Sequence, residues 1–522
     1  MAIVLGPILQ FLGIQDHQWG VSLLVVTDGD TPPSLQSGAA VQTFTKLTTL
    51  QTGATVWRGG LLVALTASAQ RVRYRIDGVT NEFHTPPADA PPRMAYASCN
   101  GFSSPGLMKN IVDKNGLWKR LINLHTGKER VRNRAFGPYH VLLLGGDQVY
   151  SDSLWEDSNC PAVIAWGKLN RGQRRRASWT PELQREVTAF YENLYLKRWA
   201  QPEVALAMAS LSSVMVWDDH DIFDGWGSYP VEDHDCPMFQ GIFNIAKTYF
   251  ALFQRHGGPD TPPPCTLPNQ PAFNAGYRIG NLAVLALDMR SERSPERQRD
   301  GNLESAQVIH ERTWDTIYQW IDAQVDLRHL IIMSSIPVVH PGFELLEKLL
   351  GVLPGQQELE DDLRDHWTSP AHRAERLRMV HRLFNFSHSK ACRVTLVSGD
   401  VHVAAVGVLE SNRGLVGTGA DHSVGTNAQV INQLTSSGIV HPAPPAMARF
   451  FLEQACQKVD IVDRGITATM YEFPTTARRL IGARNFMTIE PDDPDSKEQR
   501  LWINWWVENE GEPSSKVIHA VG

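Results

Sequence analysis

The run HVLLLGGDQVYSD, residues 140–152, passes without a break from an apolar stretch into a glycine pair and then into polar side chains. A short continuous apolar run bounded by glycine reads as a strand buried on both faces. The glycines allow a tight turn off its end, and Asp147, Tyr150 and Asp152 follow at once. Five further stretches have the same form: Arg93–Ser98, Ser213–Trp217, Leu282–Leu287, Leu330–Pro337 and Arg393–Ser398. Helical segments separate them, so the pattern predicts an α/β domain. In open α/β sheets ligands gather beyond the carboxyl ends of the strands, and the residues just after each strand are where chemistry is expected.

Upstream, residues 1–90 read as short β segments, at Ile3–Phe11, Gly20–Thr27, Val41–Thr48, Thr55–Thr66 and Gln70–Ile76, and predict a small β-sandwich domain. The proline-rich run from His84 to Pro92 is a stiff linker that sets a boundary near 90. Residues 91–522 then form the second domain. It carries a helical insertion over 151–212, with Thr180-Pro181-Glu182 as N-cap and first turn, and a C-terminal β extension from about 411 that includes Thr467–Glu472, Phe486–Glu490 and Leu501–Glu508.

A chain of 522 residues with 42% hydrophobic and 20% charged residues has the make-up of a folded globular protein. Its net charge of -7 and pI near 6.2 argue against a surface built to bind nucleic acid. One basic run, RGQRRR at Arg171–Arg176, stands out; a solvated loop before a helix is the favoured reading, and a contact surface for an anionic substrate the other. Six scattered cysteines with no CxxC pair indicate neither a zinc ribbon nor a disulfide scaffold. With no signal-peptide pattern, no twin-arginine leader and no apolar run of membrane-spanning length, the expectation is a cytoplasmic protein without a membrane partner.

Four strand ends supply metal-ligand types in turn: Ser98-Cys99-Asn100, Gly146 to Asp152, Asp218-Asp219-His220-Asp221, and Gly399-Asp400-Val401-His402. Thiolate, phenolate, carboxylate and imidazole together suit a transition metal beside a harder cation. Two cations about 3.5 to 4 Å apart would neutralise a phosphoester anion and generate the attacking hydroxide, and Asp147 is the candidate for a carboxylate shared between them. Each residue also has a plainer reading. Asp147 could cap a turn, Cys99 could be a buried thiol, Tyr150 a packed aromatic, and His220 a helix-end hydrogen bonder. Arg290 and Arg293 could grip phosphate oxygens or sit in ion pairs. His340 reads as a surface histidine after a strand, and Trp502, Trp505 and Trp506 as core.

The segments YASCNG, LLLGGDQVYSD, VMVWDDHDIFDGWGSYP, AVLALDMRSER and VTLVSGDVH, in this order over residues 95–402, resemble the alkaline phosphatase D-like (PhoD-like) branch of the calcineurin-type metallophosphoesterases. DDLRDHWTS, with Arg376 downstream, continues the resemblance more weakly. It implies a four-layer αββα core behind an N-terminal β-sandwich, and hydrolysis of phosphomonoesters or phosphodiesters by a metal-bound hydroxide at a binuclear site. Cys99, Asp147, Tyr150 and His402 would hold one metal, ferric iron; Asp219 and Asp400 would hold a divalent ion (Ca2+, Mn2+, Zn2+ or Mg2+), with Asp147 shared. His220 would sit beside the leaving oxygen, Asp221 would orient it by accepting its other N–H, and Arg290 would contact phosphate. Asp224 departs from the family pattern, where many relatives have Asn. A noncatalytic metal-binding protein, or a nuclease or phospholipase on the same fold, are the rival readings.

Overall fold

The computed structural model describes every residue except 1, 39, 110, 300–301, 341–366, 368, 413–427, 475 and 494–495. Most of DDLRDHWTS therefore lies outside the described residues. The chain divides into two compact units, Met1–Met94 with Asn100–Thr266, and Ala95–Cys99 with Leu267–Gly522.

In the first unit, strands run in the order Val141–Gly145, Ser212–Val216, Ile3–Gln15, Gln18–Thr27, Thr55–Ala64 and Thr45–Thr49. The first three are parallel to one another and the rest antiparallel. Val141–Gly145 and Ser212–Val216 are buried along their whole length. Burying each large aliphatic side chain contributes about 1.5–3 kcal/mol, which holds the polar strand ends in place. Ile3–Gln15 and Gln18–Thr27 are longer than their sequence suggests. Asp16 and His17 both take left-handed φ (48° and 59°), the type I′ geometry whose twist matches a two-residue hairpin. A second antiparallel sheet of four strands joins Ala40–Thr43, Ser34–Ser37, Gln70–Ile76 and Val79–Thr85.

Residues 151–212 carry the helices Pro161–Gly167, Arg171–Arg176, Pro181–Trp199 and Pro202–Ser210. The Thr180 hydroxyl accepts from the Leu183 N–H and caps the longest of them. The basic run corrects the reading of a solvated loop. Arg171–Arg176 is itself a helical turn closed by a capping box between Asn170 and Gln173. Arg171 and Arg175 pair with Asp233, so two of its four guanidinium groups are already engaged.

The second unit is built on a mixed sheet whose centre, Leu282–Ala286, His329–Met333, Arg393–Ser398 and Val430–Thr435, is parallel. Ala404–Ser411 and Ile466–Tyr471 extend it antiparallel. A meander of Asn485–Pro491, Leu501–Val507 and Ser514–Ile518 follows the expected C-terminal strands, with Trp505 and Trp506 fully buried. His340, expected at the surface, is only 5% exposed. Arg376 pairs with Asp460 and donates to the Val338 carbonyl. Among the described residues no helix is long and apolar enough to cross a membrane.

Candidate metal centre

In the first unit the Val141–Gly145 strand leaves the sheet through Gly146 (φ 101°) into Asp147 (φ 52°). A left-handed aspartate costs of order 1 kcal/mol or more, and such strain persists where surrounding contacts impose it. Here they do. The Asp147 carbonyl accepts from the Asn100 N–H at 2.7 Å, while the next two N–H groups, of Gln148 and Val149, donate to one oxygen of Asp221 at 3.0 and 3.1 Å.

The parallel neighbour Ser212–Val216 ends in Trp217 and then in Asp218–Asp221, which wind into a short 3-10 turn. Asp221 accepts further from the Asp218 N–H and the Gln254 amide, so it is the hub that ties the two strand ends together. Burial raises its carboxyl to about 7, against the lowering effect of those donors. The expectation that Asp221 orients His220 is thereby corrected. Asp152 does so, with its two oxygens 2.9 and 3.0 Å from His220 Nδ1, and since a carboxylate only accepts, Nδ1 carries the proton. Burial opposes the imidazolium, but Asp152, Asp219 and Asp147 outweigh it and hold the His220 pKa well above its ordinary value.

Asp219 accepts from the His220 and Gly225 N–H groups at 3.0 and 2.8 Å. Asp147, Asp219 and His220 are all buried, and one ligand atom from each lies within 4.8 Å of the others. His220 is the third buried residue of this grouping. The Tyr150 ring stacks on His220 with centroids 4.4 Å apart. Gly101 makes room for it, because a Cβ there would stand 2.4 Å from the tyrosine ring. The Asp224 carbonyl accepts from the Tyr229 hydroxyl. Three buried carboxylates in sequence, Asp218, Asp219 and Asp221, together with Asp147, carry an electrostatic cost that a bound cation would remove.

In the second unit Cys99, Asp400 and His402 come together at the ends of their strands. All three take left-handed φ (53°, 72° and 52°). Burial raises the Cys99 thiol, the Ser437 and Ser98 hydroxyls lower it, the Asp400 charge raises it and the Asp400 backbone N–H lowers it. The Ser437 oxygen stands 3.0 Å from Cys99 Sγ and accepts from the His402 N–H at 2.9 Å. The His402 ring stacks on His441, 3.7 Å between centroids. The Cys99 carbonyl accepts from the His441 and Val440 N–H groups. Among the described residues, Cys99 and His402 belong to no group of three or more whose ligand atoms lie within 4.8 Å of one another, although their donor types suit a transition metal.

Among the described residues other than glycine, seventeen have positive φ, and four of them, Cys99, Asp147, Asp400 and His402, are among the six ligands expected from sequence. Arg290 stands past the Leu282–Ala286 strand, buried, in a turn where Asp288 accepts from the N–H groups of Arg290 and Ser291. Arg293 lies 3.1 Å from His372 Nε2. Sequence reasoning missed Ser437 and His441, which belong to no ligand-like motif, and gave Asp152 no task. The only available signal for Asp152 was its place at the end of the GGDQVYSD run.

Residues 93–354 and 349–512 match the PhoD related phosphatase family. An uncharacterized protein of Saccharomyces cerevisiae, YGR266W, is 25% identical over 469 residues, which cover 74% of this chain. The match spans about 62% of the length of that relative. The solved structure of PhoD superposes over 98% of this chain and 88% of its own, with a TM-score of 0.54 at 13% identity, so the two share a fold.

Proposed function

The chain belongs to the PhoD related phosphatase family, and from that premise we propose that it hydrolyses small phosphomonoesters or phosphodiesters with the help of two bound metal ions. The observation that carries this reading is the buried pair Asp147 and Asp219 with His220 beside it, their ligand atoms within 4.8 Å of one another. Asp147, Asp219 and Tyr150, and the thiolate, carboxylate and imidazole of Cys99, Asp400 and His402, are the proposed donors, for ferric iron and a divalent ion. Bound cations would offset the charge of the phosphoester and make water a stronger nucleophile at neutral pH. His220, its Nδ1 proton held by Asp152, is left with Nε2 to meet the departing oxygen. Arg290 would hold a phosphate oxygen by charge and hydrogen bonding.

The test is metal analysis of protein purified without added metal, with a visible spectrum and a panel of mono- and diester substrates. Co-purifying metal, a visible band from iron bound to tyrosinate or thiolate, and ester turnover are expected. Protein that holds no metal and cleaves no ester would end the proposal. Colour that survives Tyr150→Phe and Cys99→Ser together would remove those two ligands from it.

A further inference from the structure

Arg198 lies in the last turn of Pro181–Trp199, where a cation is served by the helix C-terminus. Its hydrogen bonds, however, reach across to another part of the unit. Nε donates to the Asn100 carbonyl at 2.6 Å, and a terminal nitrogen donates to the Asn100 side-chain oxygen. The remaining bonds go to the side-chain oxygens of Asn115 and Gln201. Every one of these acceptors is neutral. Burial lowers the guanidinium pKa to about 10, with the charge of Glu203 opposing. A cation desolvated among neutral oxygens is costly, and most structural arginines avoid it by pairing with a carboxylate.

What the bonds hold in place is informative. Asn100 donates its N–H to the Asp147 carbonyl and its side-chain amide to the Gln148 carbonyl, at 2.7 and 3.4 Å. The neighbouring Trp199 indole also donates to the Gln148 carbonyl, at 3.2 Å. The turn that presents Asp147 is thus held at two carbonyls from the Asn100 side and at two N–H groups by Asp221. We propose that Arg198 is a positioning residue: its two-point grip fixes Asn100, and Asn100 fixes the left-handed turn that aims the Asp147 carboxylate. A lysine cannot replace it, because an ammonium donates from one point and cannot bond both Asn100 oxygens in the same geometry.

The inference rests on the proposed metal role of Asp147 for its functional consequence, and its geometric half can be measured without it. Amide hydrogen exchange at Gln148 and Val149 should speed up at least tenfold in Arg198→Met, with exchange in the Ser212–Val216 strand changing far less. Asn100→Ala should do the same, and the double variant should be no worse than Asn100→Ala alone, since one residue acts through the other. Additive losses, or unchanged exchange at both amides, would overturn the positioning role. If Arg198→Met does not fold, Arg198→Lys carries the same comparison. In the functional arm, Mn2+ titration of chelator-stripped protein should show affinity reduced about 10–100-fold, with kcat lowered more than KM. If metal affinity and kcat stay at wild-type values while exchange rises, Arg198 has only a structural role. If the wild-type protein binds no Mn2+ and cleaves no ester, the functional reading has failed and the exchange arm still decides the geometric claim.

Discussion

The two donor sets differ in what holds them. In the first unit the orienting groups are carboxylates from the other strand end: Asp221 holds the amides that follow Asp147, and Asp152 holds the imidazole of His220. One buried carboxylate, Asp221, collects four donors and locks both strand ends. In the second unit the orienting group is a single hydroxyl from a distant segment, Ser437, which touches Cys99 and His402 at once. A set locked by a buried carboxylate hub tolerates little change in the hub. A set held by one neutral hydroxyl should lose affinity gradually when that hydroxyl is removed.

The sharpest way to break this contrast is Asp147→Asn, which keeps the shape of the turn and removes the charge. It should reduce kcat/KM by about three orders of magnitude or more, and near-normal turnover would remove Asp147 from the chemistry. Next comes Asp152→Asn, expected to lower kcat about 100-fold or more with a smaller effect on KM, as loss of an oriented acid–base group does. A KM effect alone would show that Asp152 serves binding. Ser437→Ala should weaken metal binding about 10-fold, within the range for groups that orient ligands; metal affinity by titration decides it, and an unchanged value would show that Cys99 and His402 are placed by their backbones alone.

A further effect, on stability, lies outside both sets. His125 and His140 are buried with pKa values lowered to about 3 by burial, and each accepts a backbone N–H at Nδ1, from Tyr139 and Arg93. The unfolded chain binds these protons near pH 6.5 and the folded one near 3. Stability should therefore be full above pH 6.5 and fall as the pH drops through that window, by about 1.4 kcal/mol per unit for each histidine. Denaturant melts between pH 7 and 4.5 check this, and His140→Gln should make the slope shallower.

The parallel strands were legible because a strand buried on both faces needs a largely apolar core, and Val141–Gly145, Ser212–Val216 and Arg393–Ser398 fall within one residue of their sequence-based bounds. The Asp16–His17 hairpin was not, since its type I′ turn lacks the usual Asn-Gly or Asp-Gly pair. Arg171–Arg176 was misread because its cap lies in Asn170 and Gln173 and its ion partner, Asp233, lies far along the chain. Asp221 was assigned the wrong partner for a related reason. Adjacency in sequence favours His220, but the 3-10 turn points the Asp221 carboxylate back at the Gln148 and Val149 amides and leaves the imidazole to Asp152.

The sequence by itself determined which strands are buried and which ligand types stand at their ends, since both follow from local composition: apolar runs must leave water, and charged residues can follow them only where the strand stops. Tertiary structure alone decided which carboxylate faces which nitrogen, that Ser437 and His441 join Cys99 and His402, and that Arg198 reaches Asn100. Those pairings depend on distances between segments far apart in the chain, and only packing sets such distances.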